Sequence, residues 1–181
     1  SLDEVEKNFK GLVVGNQGGN FSAGANIMML LLAAQEEEWD DINMMVRALQ
    51  NAVMRLRYSA KPVVTAPYGL TLGGGCEIAI STDFIIASED ALFGQPEAMV
   101  GLSAGGGSPV FLPRFLPPGM AMQMLMTGEP ITAREAHRLG MVNSIHPRDE
   151  LMSAALDIAE KIADNSPTAV QAVKRAVQNG Q

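Results

Sequence analysis

The chain has 181 residues, 47% hydrophobic and 18% charged, enough for one domain with a sizeable core. Thirteen Lys and Arg against 20 Asp and Glu leave a net charge of −7, which argues against a nucleic-acid-binding face. The single cysteine, Cys76, rules out an internal disulfide and a zinc ligand cluster; the longest apolar run, Ile27 to Ala34, is far too short to cross a membrane and no secretory pattern opens the chain, so a cytoplasmic protein is expected.

Leu2 to Asn8 reads as the tail of a helix, followed by an apolar strand over Gly11 to Gly15 and a polar, glycine-rich loop over Asn16 to Asn20. Ile42, Met45, Val46, Leu49, Val53 and Leu56 recur at helical spacing and predict a long helix from about Glu36 to Arg57, with Glu36-Glu37-Glu38 at its start. Lys61-Pro62 closes it. Val63 to Ala66 is a short apolar strand, Gly73-Gly74-Gly75 leads into a helix, and Phe84 to Ala87 is another buried strand. The final third reads as helical. Thr132 and Glu135 have capping-box spacing with Gly140 as the stop, Asp149 is placed to cap a helix running to about Asp164, and Pro167 opens the last one. Strands alternating with helices give an α/β class with parallel strands buried on both faces.

Two segments stand out. In Phe21-Ser22-Ala23-Gly24-Ala25-Asn26 every residue from Ser22 to Ala25 is small, and the segment leads from a strand and loop into a helix. Gly69 to Cys76 repeats that order: strand, glycine run, helix. Small side chains let a ligand lie on the backbone, and two such turns side by side could aim two N–H groups at one oxygen. Either turn alone is more simply a tight turn. Glu77, set between Cys76 and Ile78-Ala79-Ile80, is a carboxylate in an apolar setting, where burial raises its pKa toward the range useful for proton transfer. Glu97 follows Phe93-Gly94-Gln95-Pro96, a segment stiffened by its proline.

Ser22 to Asn26, Leu72-Gly73-Gly74-Gly75-Cys76-Glu77 and Phe93-Gly94-Gln95-Pro96-Glu97 resemble the signature segments of the crotonase (enoyl-CoA hydratase/isomerase) superfamily. Gly101 to Gly107, Leu125 to Gly128 and Ala136 to Val142 follow in the family's order. The resemblance implies a single crotonase-like domain over 1–181 with a β-β-α spiral (the ClpP/crotonase fold). Residues 1–128 would form the spiral core, lacking its first strands, and 129–181 a C-terminal helical region. It implies that the N–H groups of Ala25 and Gly74 form an oxyanion hole for the thioester oxygen, and that Glu77 and Glu97 hold and activate a water. Gly105 would line the reacting centre, and the backbone around Ala23, Ala25 and Ile27 would hold the ends of coenzyme A. The implied reaction is reversible hydration of a 2-enoyl-CoA, with no metal or redox cofactor, coenzyme A being part of the substrate. It also implies a homo-oligomer, trimer or hexamer, and no nucleic-acid or membrane partner. An isomerase, another thioester-enolate enzyme, and a truncated relative that binds acyl-CoA without turnover are the alternatives.

The chain departs from the family's pattern at its front, where further strands are usual, and at Asn26, Gly19-Asn20 and Ala104. Gly101-Leu102-Ser103-Ala104-Gly105 also fits the G-x-S-x-G elbow of serine hydrolases, but Pro96 to Val100 makes a poor strand and Gly106-Gly107 a poor helix start. The 12 methionines suggest adaptable core packing. The apolar face of Leu151 to Ile162 suits either subunit contact or core packing.

Overall fold

Short strands recur in pairs along the chain, one strand of each pair in each of two small sheets. In the computed structural model, which describes residues 2–180, a four-stranded parallel sheet has the order β1-β2-β4-β7: Leu12–Val14, Val63–Thr65, Phe84–Ser88 and Ser144–His146. The second sheet holds β3 (Leu70–Leu72) and β5 (Leu92–Gly94) in parallel and β6 (Ile131–Thr132) antiparallel to β5. The path is a spiral. β2 passes to β3 and then to helix α4 (Gly74–Ile80); β4 passes to β5 and then to a 3-10 helix, Pro96–Val100. The turn before these runs from β1 through Ser22, which forms an isolated parallel bridge to Thr71 of β3, into α2 (Ile27–Gln35) and α3 (Trp39–Arg57). Junctions between second-sheet strand and helix therefore stack beside one another, and these junctions carry the glycine motifs.

The central strands are buried on both faces, as their continuous apolar runs predict. Ile85 and Ala87 of β4 point into one cluster with Cys76, Ile80, Phe93, Leu112 and Met124; Ile86 points into the other with Val64, Tyr68, Leu151 and Ala155. Leu151 and Ala155 belong to α8 (Leu151–Ala163), whose apolar face thus packs on the sheet within this chain. Among the described residues no helix is long and apolar enough to cross a membrane.

Several local expectations change. The predicted helix start at Glu36 is instead the end of α2, which Asn26 caps by accepting from the Met28 N–H at 3.1 Å. Glu37 takes a left-handed φ of 59° and α3 begins at Trp39 with Asp40 and Asp41 in its first turn. Three glutamates in a row oppose the dipole at a helix C-terminus, and two aspartates favour the next N-terminus. Thr132 caps α7 (Ala133–Arg138), accepting from the Glu135 N–H, but the Glu135 carboxylate pairs with Arg138, so only half of a capping box forms. Asp149 does not cap α8: Glu150 is already in helical geometry, leaving no extended cap position. Pro167 does open α9 (Pro167–Asn179). The final third contains β6 and β7, two and three residues long, as well as helices. A helix, α5 (Ser108–Phe115), starts directly after Gly107, whose φ of 125° makes the entry turn. α6 (Pro118–Thr127) follows. With a 3-10 helix before it and Ser103 exposed, the G-x-S-x-G segment lacks the strand of a nucleophile elbow. The methionines do not all pack inside: Met124 and Met141 are buried, while Met28, Met29, Met44, Met99, Met122 and Met126 are exposed.

α9 buries none of its described residues and is fastened by polar contacts. Lys174 Nζ donates to Asp83 Oδ2 at 2.7 Å and to the Lys61 carbonyl at 2.9 Å, and Asp83 also accepts from the Val63 N–H. Burial pushes the Asp83 carboxyl above its ordinary pKa even with the ammonium beside it. Lys174→Met strands that carboxylate and is expected to cost about 2–3 kcal/mol at neutral pH. A raised folded-state pKa means that Asp83's stabilising contribution is present in acid and lost as pH rises through that value. The deficit of Lys174→Met therefore shrinks on acidification, which urea titrations at two pH values will read; an equal deficit at both would contradict the assignment.

Candidate active site

Two backbone turns touch where the junctions stack. Ser22 N–H donates to the Leu70 carbonyl at 3.0 Å and Leu72 N–H to the Ser22 carbonyl at 2.9 Å, which aligns the first small-residue loop with β3. Gly24, at φ 91°, comes so close that a Cβ there would lie 3.2 Å from the Leu72 carbonyl oxygen and 3.8 Å from the Gly74 nitrogen. Gly73 turns at φ 52°, and the N–H of Gly73 donates to the Gly94 carbonyl. A Cβ on Gly75 would meet the Ser22 Cβ at 2.5 Å, so α4 approaches the first loop backbone to backbone. The two turns thus stand side by side. Among the described residues, no protein group accepts from the N–H of Ala25 or of Gly74.

Glu77 sits in the first turn of α4 and is 1% exposed. Its Oε1 accepts from the Gly106 N–H at 2.8 Å and the Ser108 N–H at 3.2 Å, which leaves Oε2 for another partner. Burial raises its pKa, and these backbone donors pull against that rise. Glu97 lies on the 3-10 helix, half-buried, against the Gly73 turn: a Cβ on Gly73 would be 2.9 Å from Glu97 Oε1. Burial raises the Glu97 pKa as well, and the charge of Glu77 raises it further. Gln95, fully buried, satisfies both neighbours when its Nε2 donates to the Glu97 oxygens at 3.1 and 3.2 Å and its Oε1 accepts from Ser108 Oγ. Ser108 therefore touches Glu77 through its N–H and reaches Glu97 through Gln95. Cys76 is a buried neighbour whose thiol is pushed up to about 12, chiefly by burial, and is inert at neutral pH.

The structure brings Glu77, Glu97, Gly74 and Ala25 to one place. Ala23 and Ala25 are exposed beside it and Ile27 is half-buried at the start of α2. Gly105 borders the site through its carbonyl, which accepts from Gln50 Nε2, and the N–H that meets Glu77 belongs to the next residue, Gly106. Gly106, Ser108, Gln95 and Gln50 were not picked out from the sequence as site residues. Gln95 lies inside the Phe93-Gly94-Gln95-Pro96-Glu97 segment and Gly106 inside the glycine run, but nothing in their spacing reveals which N–H faces a carboxylate. Surface hollows lined by Glu37 to Asp41, and by Gly15, Asn16, Gln17 and Met152, lie elsewhere. Among the described residues no group of three or more His, Cys, Asp and Glu is placed to hold a metal ion.

The raised pKa of Glu77 has a consequence for stability. A carboxyl that titrates higher folded than unfolded stabilises the fold in acid, and that contribution is lost as pH rises through the folded value. Glu77→Gln removes the ionisation while keeping an oxygen for the two N–H donors. The variant is expected to be more stable than the parent at pH 7, with the gap closing below about pH 4, the ordinary carboxylate range. Denaturant titrations at both pH values check this; a less stable variant at pH 7 would count against it.

A family model described as enoyl-CoA hydratase/isomerase matches residues 1–181. The chain is 39% identical over 171 residues to a crotonyl-CoA hydratase of Syntrophomonas wolfei, covering 93% of this chain and 64% of that one. It is 47% identical over 126 residues to a short-chain-enoyl-CoA hydratase of Clostridium acetobutylicum, covering 70% and 48%. Among solved structures, an enoyl-CoA hydratase from a Polaromonas species superposes with a TM-score of 0.93 at 31% identity, covering 99% of this chain and 70% of that one. The chain spans about half to two thirds of the length of these two curated relatives.

Proposed function

The chain belongs to the enoyl-CoA hydratase/isomerase family and has its crotonase fold, and from that premise we propose that it adds water reversibly to a 2-enoyl-CoA thioester. The carrying observation is the pair of carboxylates, Glu77 and Glu97, set around one glycine turn that lies against a second small-residue loop. The N–H groups of Ala25 and Gly74 bind the thioester oxygen and stabilise the charge that develops there as the β-carbon is attacked. The backbone around Ala23, Ala25 and Ile27 receives the coenzyme A portion.

The two acids differ in a way that suggests their roles. Burial raises the pKa of both; the backbone N–H donors pull Glu77 back toward its ionised form, while the Glu77 charge raises Glu97 further, and on that difference we assign Glu77 as the base and Glu97 as the acid. Glu77 then takes a proton from water as its oxygen bonds to the β-carbon, and Glu97 gives its proton to the α-carbon. The sum is H and OH added across the double bond, with no electron transferred, so the step calls for no redox cofactor. We place the enzyme in the cytoplasm as a homo-oligomer, trimer or hexamer.

Incubation with crotonyl-CoA tests the reading. The enoyl thioester absorbance should disappear as 3-hydroxybutyryl-CoA forms. No loss at high enzyme concentration overturns hydration; movement of the double bond in a 3-enoyl-CoA would then point to an isomerase, and acyl-CoA binding alone to a non-catalytic relative.

A further inference from the structure

The peptide unit between Gly105 and Gly106 is held from both ends. Gln50 Nε2, on α3 and 55 residues earlier in the chain, donates to the Gly105 carbonyl at 2.8 Å. The N–H of the same amide, on Gly106, donates to Glu77 Oε1 at 2.8 Å. Both flanking residues are glycine, so no side chain resists rotation of the amide plane. Half a turn of that plane would face Glu77 with a carbonyl instead of an N–H, a repulsive contact for a carboxylate. Among the described residues, Gln50 is the donor that meets the Gly105 carbonyl and opposes that rotation. Its side chain is exposed, and α3 is anchored in the body by Val53 and Leu56 instead.

We propose that Gln50 is a positioning residue, whose amide donor locks the Gly105–Gly106 peptide in the orientation that presents its N–H to Glu77. The consequence for turnover rests on the reading of Glu77 as a proton-transfer group; the consequence for the Glu77 carboxyl does not. An N–H aimed at a carboxylate favours its charged form, so a flipped or wandering peptide raises the pKa of Glu77.

The test compares Gln50→Met, which keeps size and loses the donor, with Gln50→Lys, which keeps a donor, both at high salt to screen the added charge. Turnover of crotonyl-CoA is read across pH, and the Glu77 carboxyl is titrated in the free protein by 13C NMR, its signal identified by its absence in Glu77→Gln. Gln50→Met should lower kcat about fivefold, the worth of one ordinary hydrogen bond. The same variant should move the Glu77 titration, and the acid limb of kcat/KM with it, upward by about half a pH unit. Gln50→Lys should stay within about twofold of the parent, because its ammonium restores a donor to the carbonyl. A Gln50→Met protein with an unmoved Glu77 titration overturns the proposal, as does a Gln50→Lys protein impaired like Gln50→Met. If the parent does not hydrate crotonyl-CoA, the proposed function fails by itself, and the carboxyl titration still decides the role of Gln50.

Discussion

Glu77→Gln is expected to lower kcat for crotonyl-CoA hydration by about 10²–10⁴-fold with the fold intact, the range of one lost general acid–base group. The substitution is a clean one because of how Glu77 is held. Both backbone donors, on Gly106 and Ser108, converge on Oε1, and a glutamine keeps an oxygen there. Only Oε2, the atom left for a water, changes to a group that cannot take a proton. Glu97→Gln should fall by a comparable factor, since hydration needs a proton removed from water and another delivered to carbon. A silent Glu97→Gln beside a dead Glu77→Gln would sink hydration and favour movement of a double bond by one group. The pH profile carries the same information. Both carboxyls titrate above their ordinary range, so a bell whose limbs belong to the pair is expected, displaced upward from free glutamates. In Glu77→Gln the like charge beside Glu97 is gone, and Glu97 should titrate lower than in the parent.

The parts of this site that were legible in the sequence are those fixed by local chemistry. Gly24 and Gly73 occupy backbone turns with positive φ, which few other residues tolerate, so the residue type announces the turn. Glu77 announces itself as a charge inside an apolar helix, and the continuous apolar runs of Val63–Thr65 and Phe84–Ser88 announce strands buried on both faces. What stayed hidden depends on the rest of the molecule. β3, β5 and β6 are two or three residues long, too short for any alternation to repeat, and exist because a neighbour supplies their hydrogen bonds. The partner of Glu77 lies 29 residues away on a run of three glycines, where a one-residue shift exchanges Gly105 for Gly106. The apolar run Ile27 to Ala34 lies in α2, of whose residues only Ala33 is buried, because hydrophobicity on all sides says that a helix seeks cover but not what supplies it.

Gly106→Ala tests the same contact from the other side, and a loss of activity approaching that of Glu77→Gln is expected. A methyl group at Gly106 would lie 2.3 Å from Glu77 Oε2, 2.7 Å from its Cδ and 3.1 Å from Oε1. Gly106 does not need a left-handed φ, so the cost is the collision alone. It is a hard collision, because Glu77 sits in the first turn of a buried helix and is tied to the very segment that would strike it. The carboxylate must swing away from a buried position and give up both N–H donors, at a cost in stability of about 1–3 kcal/mol. Glu77→Gln and Gly106→Ala are thus both inactive but shift stability in opposite directions at neutral pH. Coupling the two positions separates collision from a general loosening of the loop. Glu77→Ala removes the struck atoms, so the double variant with Gly106→Ala should unfold no more easily than Glu77→Ala alone, while remaining inactive. Thermal unfolding of the four proteins, with crotonyl-CoA turnover beside it, reads both effects. Additive destabilisation, or a Gly106→Ala enzyme at the parental rate, would show that Glu77 does not depend on this approach of the backbone.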